Sequence, residues 1–236
     1  MKLPIDSLSD EELALINKKY AWVTMTVDSK GRRLGRGEQV FEIPDFRVKF
    51  AVDHLGVKGK SVVEFGCLEG AHTVALAREA SGVTAIDGRA SNLERATLRT
   101  QLYGVKATFV QGDVESFVPP SADLYFHSGV LYHLKDPVSH LLRISKLAKE
   151  LFLDTHYTKK AATSYKCQED GESYPCAVYS EAPSGAKAGL QNTAMWLRLG
   201  DIVAILKRSY LGVKILRDEK ERNGPRVSIV AKRGLF

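Results

Sequence analysis

The feature that most constrains the fold is a regular alternation of short apolar segments with helical patterns between residues 46 and 155. Strands are predicted at 61–66, 83–87, 107–110, 123–127 and 150–154. Helical patterns precede the first strand and separate most of the others, and Asp136-Pro137 marks one helix start. Five strands that alternate with helices at this spacing are typical of a doubly wound parallel sheet.

Two further strands are predicted at 213–217 and 227–232, after a helix near 200–209. Only the turn Asn223-Gly224-Pro225 separates them, so we expect an antiparallel pair at one end of the sheet. The predicted fold class is therefore α/β, a doubly wound, mostly parallel seven-stranded sheet of the Rossmann-like type with an antiparallel last strand.

The chain of 236 residues is expected to hold one main domain, residues 46–236, behind an N-terminal helical leader or lid, residues 1–45. In the leader, Ser9 and Glu12 have the spacing of a capping box, and residues 28–37 are expected to be a loop. Ser91 and Glu94 predict a second capping box. Residues 156–199 are predicted to be a cap insertion, either a lid in which tyrosines cover a ligand or a segment with unrecognised local structure.

Composition excludes several classes of protein. Hydrophobic residues make up 44% and charged residues 26% of the chain, which argues against disordered and fibrous proteins. No apolar stretch is long enough for a membrane helix, and no signal peptide is recognised. Three cysteines favour reduced thiols in the cytoplasm, the alternative being a Cys167–Cys176 pair in an oxidising compartment. The net charge of +6 is scattered, so nucleic acid is a possible but not favoured partner, and the oligomeric state stays open.

In a doubly wound sheet, ligands bind at the carboxyl ends of the strands. The first strand leads into Glu64-Phe65-Gly66-Cys67-Leu68-Glu69-Gly70. A dinucleotide-binding turn would have glycine at position 68, and Glu69 would repel a diphosphate at the helix start. The turn therefore predicts an adenosine ligand without phosphate, and S-adenosylmethionine fits.

Two carboxylates follow the next two strands. Asp87 is placed to accept both ribose hydroxyls, and Asp113 is placed to accept the adenine amino group beside the backbone amide of Val114. Because NAD sites also use a carboxylate for the ribose, Asp87 indicates a ribose rather than one particular cofactor.

These motifs together resemble the class I S-adenosylmethionine-dependent methyltransferases. The run Gly129-Val130-Leu131-Tyr132-His133 resembles more narrowly a group with the bacterial tRNA wobble-uridine carboxymethyltransferase and uncharacterised small-molecule methyltransferases. The resemblance implies S-adenosylmethionine as cofactor. The expected cofactor-binding residues are Glu64, Gly66, Cys67, Gly70, Asp87, Gly88, Asp113, Val114 and Ser128.

We expect methyl transfer to an oxygen or nitrogen atom of a small molecule. His133 is the candidate base because it follows the fourth strand, Tyr132 could orient the acceptor, and His156 after the fifth strand faces the same rim. No metal site is predicted. The alternatives are an RNA (tRNA) methyltransferase, an NAD-dependent oxidoreductase and a non-catalytic cofactor-binding protein.

Overall fold

The computed structural model describes residues 4–36 and 40–236, so the start of the predicted leader and residue 37 of the predicted loop lie outside the described residues. The helices in chain order are α1 (Pro4–Ser7), α2 (Asp10–Lys19), α3 (Phe46–Leu55), α4 (Ala71–Ala77), α5 (Ala90–Leu102), α6 (Pro137–Leu147) and α7 (Leu199–Leu206). A single 3-10 turn, Leu131–His133, precedes α6 in this part of the chain.

The strands in chain order are β1 (Thr26–Val27), β2 (Arg33–Leu34), β3 (Ser61–Phe65), β4 (Gly82–Asp87), β5 (Thr108–Gln111), β6 (Ala122–Ser128), β7 (Ala148–His156), β8 (Thr163–Lys166), β9 (Ser173–Ser180), β10 (Thr193–Leu197), β11 (Gly212–Glu221) and β12 (Gly224–Lys232). Seven of them form the main sheet in the order β11-β12-β7-β6-β3-β4-β5. Within it, β12 runs antiparallel to both of its neighbours. The predicted fold class is confirmed.

Side chains that alternate along the central strands fill two layers, one on each face of the main sheet. Leu124 and Phe126 of β6 pack with α3 and α4, whereas Tyr125 between them packs with α6 and α7. Both faces are covered by helices, which explains why these strands are apolar along most of their length. The polar ends of the strands are thereby left as the accessible part of the sheet.

Local signals place several helix ends where the sequence predicts them. The side chain of Ser9 accepts a hydrogen bond from the backbone of Glu12, and the Glu12 carboxylate accepts one from Ser9, so the first capping box is confirmed. Asp136 caps α6, with Pro137 at its first position. The second predicted capping box is wrong. Helix α5 begins at Ala90 because the Asp87 carboxylate accepts the backbone N–H of Arg89, which leaves Ser91 inside the first turn.

The segment from 156 to 199 contains structure that the sequence analysis missed. Strands β8, β9 and β10 form a separate antiparallel sheet in the order β10-β9-β8, here named the cap sheet. It is joined to the turn after β6 by a hydrogen bond from Met195 N to the carbonyl oxygen of Leu134, 2.9 Å. An aromatic lid of tyrosines is not formed, because Tyr157 and Tyr174 are buried in the core and bond Asp218 and Asp170.

The N-terminal segment is fixed to the main domain by a buried carboxylate. Glu69, 1% exposed, accepts hydrogen bonds from the backbone amides of Val23 and Thr24, both 2.9 Å. Its charge is balanced by Arg95, 2.7 Å away, and by the fully buried Arg99 at 3.9 Å. Two arginines of α5 and one carboxylate thus hold the residues before β1 against the main sheet.

We expect Glu69→Gln to lower the free energy of unfolding by about 3–5 kcal/mol, because two buried guanidinium groups lose their counter-charge. Urea unfolding followed by circular dichroism measures this. Glu94→Gln is the matched control, since Glu94 is exposed on the same helix as both arginines. Equal stability of the Glu69 variant and the control would contradict this account of the N-terminal segment.

Candidate active site

A cavity opens at the carboxyl ends of β3, β4 and β6, where the sheet order reverses direction from β3. Its lining comes from the turns after these strands, from the N-terminal segment and from the chain between β9 and β10. The predicted residues that line it are Gly66, Cys67, Asp87, Gly88, Asp113, Val114, Ser128, Tyr132 and His133. Three predicted residues, Glu64, Gly70 and His156, do not line it.

The turn after β3 is held open by backbone hydrogen bonds. The amides of Gly66 and Cys67 both donate to the carbonyl oxygen of Ile86, at 2.8 and 3.1 Å. Gly66 has a φ of 67°, and a Cβ there would lie 2.3 Å from Cγ2 of Val130. Glycine is therefore required where the chain turns towards the cavity.

Gly70 has a different role from the one predicted. It ends the turn at the N-cap of α4 with a φ of 77°. A Cβ there would lie 3.0 Å from the backbone of Ala96. Gly70 thus allows α4 and α5 to pack closely and acts on the cavity only by shaping the turn.

Glu64 lies beneath the cavity rather than in its wall. Its carboxyl group is 1% exposed and accepts a hydrogen bond from the Thr73 hydroxyl, 2.5 Å. Burial, with the nearby negative charge of Asp87, raises the pKa of Glu64 to about 8. At neutral pH the group is therefore mostly uncharged.

Asp87 organises the second side of the cavity. One of its oxygens accepts the backbone N–H of Leu68, 2.9 Å, and the other accepts from Arg89 N and from the side chain of Asn92. Burial raises the pKa of Asp87, which these three donors oppose. A carboxylate has about four acceptor positions, so one is left for a ligand.

The third and fourth turns complete this end of the cavity. Asp113 accepts the backbone N–H of Glu115, 3.0 Å, which fixes its side chain beside Val114. Ser128 ends β6, and its buried hydroxyl has no hydrogen-bond partner among residues 4–36 and 40–236. A buried hydroxyl without a partner is costly, and a polar ligand group in the cavity would satisfy it.

Residues 182–190, here named the covering loop, lie across the mouth of the cavity near Asp87. The Arg89 guanidinium donates to the carbonyl oxygens of Pro183, 2.7 Å, and Gly189, 3.1 Å. A Cβ on Gly88 would lie 2.5 Å from a methyl group of Leu190. The covering loop and the turn after β4 are therefore in direct contact.

The opposite end of the cavity is lined by paired charges and aromatic rings. Arg47 bonds Asp45, and Arg226 bonds Asp154, each through Nε at 2.8 Å. The Arg226 guanidinium lies over the ring of Tyr132, 5.8 Å from its centroid. Burial raises the pKa of Asp45, but His72 and Arg47 together lower it below its usual value, so the Arg47–Asp45 ion pair is retained at neutral pH.

His133 lies between the two ends, and within residues 4–36 and 40–236 its ring contacts the carboxylate of Glu181. Its Nδ1 is 2.8 Å from Oε1 of Glu181. This contact places the proton of the neutral imidazole on Nδ1 and leaves Nε2 as an acceptor. Burial lowers the pKa of His133, which Glu181 opposes, so the ring is predominantly neutral at pH 7.

His156 is packed behind this end of the cavity. Its ring stacks on Trp196, with centroids 5.0 Å apart and planes 10° apart, and its Nδ1 is 3.2 Å from the carbonyl oxygen of Pro225. The structure therefore does not bring His156 to the cavity, although the sequence places it on the same rim.

Three further observations concern metal ligands, membrane helices and cysteines. Within residues 4–36 and 40–236, no group of three or more His, Cys, Asp or Glu side chains is arranged to hold a metal ion. In the same part of the chain, no helix is long and apolar enough to cross a membrane. All three cysteines are buried free thiols, so Cys167 and Cys176 are not paired.

Comparison with known proteins shows what the chain around this cavity is similar to. Residues 63–150 match the model of a family described as a methyltransferase domain, and these residues span the turns after β3 to β6. Over residues 63–150 the chain is therefore similar to methyltransferase domains. The strand order with an antiparallel β12 has the fold of that class.

Curated proteins match about half of this chain at about 30% sequence identity. The ubiquinone biosynthesis O-methyltransferase of Vibrio cholerae serotype O1 is 30% identical over 119 residues, 49% of each chain. The enzyme of that name from Erwinia tasmaniensis is 31% identical over 128 residues, 51% of this chain and 53% of its own. This chain therefore spans about half the length of the curated relatives it matches.

Solved structures cover more of the chain. The N-terminal domain of EvdMO1, in the presence of SAH and D-fucose, matches with a TM-score of 0.79 and 24% identity over 95% of this chain and 97% of that one. Magnesium protoporphyrin IX methyltransferase of Synechocystis PCC 6803, with bound SAM, matches with a TM-score of 0.55 and 19% identity over 79% and 76%. These likenesses concern the fold. The narrower resemblance to the tRNA wobble-uridine group is not confirmed.

Sequence reasoning missed four residues that line the cavity or hold its lining in place. Arg47 and Arg226 line the end opposite Asp87, Arg89 holds the covering loop, and Glu181 bonds His133. Arg226 directly follows the Asn223-Gly224-Pro225 turn that predicts the antiparallel strand pair, which was a usable signal. Glu181 had none, because its position depends on the cap sheet.

Glu64 should make the stability of the methyltransferase domain fall as the pH rises. Its pKa is raised to about 8 in the folded state, so the folded protein retains this proton between roughly pH 4.5 and 8 while the unfolded chain loses it. The contribution is complete below pH 4.5 and is lost at up to about 1.4 kcal/mol per pH unit as the pH rises towards 8.

Glu64→Gln removes this titration. We expect the variant to match the wild type near pH 5 and to be the more stable protein at pH 8.5, measured by urea unfolding at both values. Glu79→Gln is the control, because Glu79 is exposed. A constant difference between wild type and Glu64→Gln at the two pH values would show that Glu64 is ionised in the folded protein.

Proposed function

We propose that this chain transfers a methyl group from S-adenosylmethionine to a hydroxyl oxygen of a small molecule. The observation that supports this best is the placement of His133, whose Nδ1 is engaged by Glu181 while Nε2 is left as an acceptor beside the cavity. A hydroxyl group is a poor nucleophile unless a base removes its proton, so a neutral imidazole here favours O-methylation.

The cavity fits the proposed cofactor at its adenosine end. Asp87 has one acceptor position left for the ribose hydroxyls, and Asp113 with Val114 is available to the adenine. Gly66, Cys67 and Gly88 bring backbone close to the ligand, and the unpartnered Ser128 hydroxyl would accept from an ammonium group. Glu64 and Gly70 would support this site from outside the cavity wall.

The cofactor's carboxylate needs a cationic partner, and Arg47 is our candidate. Its Nε and one terminal nitrogen bond Asp45, which leaves the other terminal nitrogen available. Arg47 lines the cavity together with His72 of α4. The relatively rigid guanidinium would orient the carboxylate and so align the rest of the cofactor.

When bound, S-adenosylmethionine supplies a methyl group on a positively charged sulfur, which departs as the neutral thioether S-adenosylhomocysteine. The acceptor oxygen bonds to the methyl carbon as the carbon–sulfur bond breaks and its electron pair stays on sulfur. His133 accepts the acceptor's proton at Nε2, and Tyr132 contributes to orienting the acceptor. The covering loop and the N-terminal segment exclude water, so that alignment supplies most of the acceleration.

Two findings support a small polar acceptor. The curated relatives are named O-methyltransferases of ubiquinone biosynthesis, and the EvdMO1 domain was solved with D-fucose. Beyond the proposed carboxylate site, Tyr132 and Arg226 line this end of the cavity and offer hydrogen bonds to an acceptor. A hydroxylated ring suits these hydrogen-bonding groups. An RNA acceptor and an NAD-dependent reaction are not favoured by the relatives, and the tests below include NADH.

We further propose the division of the chain that the sequence suggested. Residues 46–236 would form the methyltransferase domain, and residues 156–199 would be its cap insertion. Residues 1–45 would act as a leader that closes one side of the cavity, since Thr24 and Phe41 line it. The free thiols agree with the proposed cytoplasmic location.

The cofactor proposal is tested by thermal shift. S-adenosylmethionine and S-adenosylhomocysteine should each raise the melting temperature, because a ligand that binds only the native state stabilises it, and NADH should not. Asp87→Asn should weaken S-adenosylhomocysteine binding by about 1–3 kcal/mol in calorimetry. Asp53→Asn, at an exposed position of α3, is the control. A shift with NADH alone would overturn the proposal.

His133→Asn should slow methyl transfer by about 10²–10⁴-fold with little change in cofactor affinity, because only the proton acceptor is lost. His54→Asn, on the outer side of α3, is the control. In the wild type, activity should fall with acid at a pH below the usual titration of histidine, since burial lowers the pKa of His133. Full activity of His133→Asn with acceptors screened from hydroxylated rings would remove the base from the mechanism.

A further inference from the structure

Glu181 connects two parts of the cavity that the sequence places far apart. Its Oε1 lies 2.8 Å from Nδ1 of His133, and its Oε2 accepts the backbone N–H of Gly189 at 2.9 Å. The side chain is 11% exposed, so both contacts are shielded from water. One carboxylate therefore holds both the candidate base and the covering loop.

The contact between the covering loop and His133 is also direct. A Cβ on Gly189 would lie 2.6 Å from the carbonyl oxygen of His133 and 3.3 Å from its Cβ. Only glycine allows the loop to approach this closely. The same residue accepts a hydrogen bond from Arg89 through its carbonyl oxygen, beside the proposed ribose site.

We propose that Glu181 is a positioning residue that couples closure of the covering loop over the cofactor to the orientation of the His133 base. With the loop closed, Oε2 accepts a hydrogen bond from the backbone N–H of Gly189. Oε1 is thereby placed to accept a hydrogen bond from Nδ1–H of His133. Nε2 then faces the acceptor in its unprotonated form. This inference rests on the proposed methyl transfer, and it assigns a role to a residue of the cap.

The charges around His133 are consistent with this arrangement. Arg89 and Arg226 disfavour protonation of the imidazole, and Glu181 favours it. The ring of Tyr132 packs against the imidazole, with centroids 4.2 Å apart. Without the carboxylate of Glu181, the imidazole of His133 would lose a nearby negative charge. It would also lose the hydrogen bond that fixes its tautomer.

Two substitutions at Glu181 separate its two functions. The two contacts of Glu181 use opposite oxygens of its carboxylate. In Glu181→Gln only one of these two positions is an oxygen, so the side chain cannot accept from both His133 and Gly189 in the same way. The backbone N–H of Gly189 cannot change, whereas the imidazole can move its proton to Nε2. We therefore expect Glu181→Gln to hold the loop but to present the wrong tautomer, and Glu181→Ala to lose both functions. Glu172→Gln, at an exposed position of the same cap, is the control.

The readouts do not require a known acceptor. Nitrogen-15 NMR of the histidine rings, with the His133 signal assigned by its absence in His133→Asn, reports the tautomer and its titration. We expect the proton on Nδ1 in the wild type and on Nε2 in Glu181→Gln, with the pKa of His133 lowered in both Glu181 variants. Calorimetry should show S-adenosylhomocysteine binding about three- to tenfold weaker in Glu181→Ala and within twofold of wild type in Glu181→Gln.

A substitution in the loop tests the coupling itself. Gly189→Ala should displace the loop, so that His133 shows a mixture of tautomers although Glu181 is intact. Gly185→Ala is the control, because a Cβ there meets its nearest neighbour at 3.4 Å. An unchanged His133 tautomer in both Glu181→Gln and Gly189→Ala would overturn the proposal, as would unchanged cofactor affinity in Glu181→Ala.

Failure of the proposed function would give a different result. If the wild type binds no S-adenosylhomocysteine, the cofactor proposal fails, while the NMR titration of the ligand-free protein still tests the Glu181–His133 contact. If the wild type binds it and the His133 signals do not respond to either substitution, only the positioning role fails.

Discussion

The carboxylate of Asp87 is the interaction on which the rest of the site depends. It accepts the amide of Leu68 from the turn after β3, the amide of Arg89 at the start of α5 and the side chain of Asn92. Two segments, the turn after β3 and the start of α5, are thus fixed relative to one group at the end of β4. Burial favours the protonated form of Asp87, and the donors favour the ionised form that a ribose would require.

The position of Asp87 also determines which residues of α5 reach the cavity and the N-terminal segment. Because α5 begins at Ala90, Arg89 stands at the helix start and reaches the covering loop. Further along α5, Arg95 and Arg99 meet Glu69, which holds the N-terminal segment. The carboxylate of Glu69, which lines the cavity, is therefore compensated by two positive charges. The expected repulsion of a diphosphate by Glu69 is not supported, and Leu68 remains the residue that departs from a dinucleotide-binding turn.

The fold was largely predictable because its signals are local. Alternating apolar segments identified the main strands, and Asp136-Pro137 and Ser9 with Glu12 identified helix starts. The antiparallel pair β11–β12 followed from the short turn between its strands. The capping box at Ser91 failed because the Asp87 carboxylate accepts the amide of Arg89, two residues along the chain, and the helix begins at Ala90. A local hydrogen bond from a side chain just before the helix set this boundary.

The lining of the cavity was predictable at the end near Asp87 and not at the opposite end. Residues such as Asp87 and Asp113 follow strands directly, so the sheet alone places them. Arg47 comes from α3, before the main sheet begins, and Arg226 comes from β12. Glu181 follows β9 of the cap sheet. Their convergence depends on how distant segments pack, which periodicity does not encode.

The two ends of the cavity differ in how their charges are arranged, and this difference fits methyl transfer. At the end opposite Asp87, Arg47 and Arg226 are each paired with a buried aspartate. This end therefore offers hydrogen bonds with little net charge. A reaction that turns a sulfonium and a neutral hydroxyl into neutral products and one proton gains little from a strong fixed field. It requires instead one acceptor for the proton and a geometry that excludes water. In the proposed function, His133 held by Glu181 would accept the proton, and the covering loop that contacts both residues would exclude water.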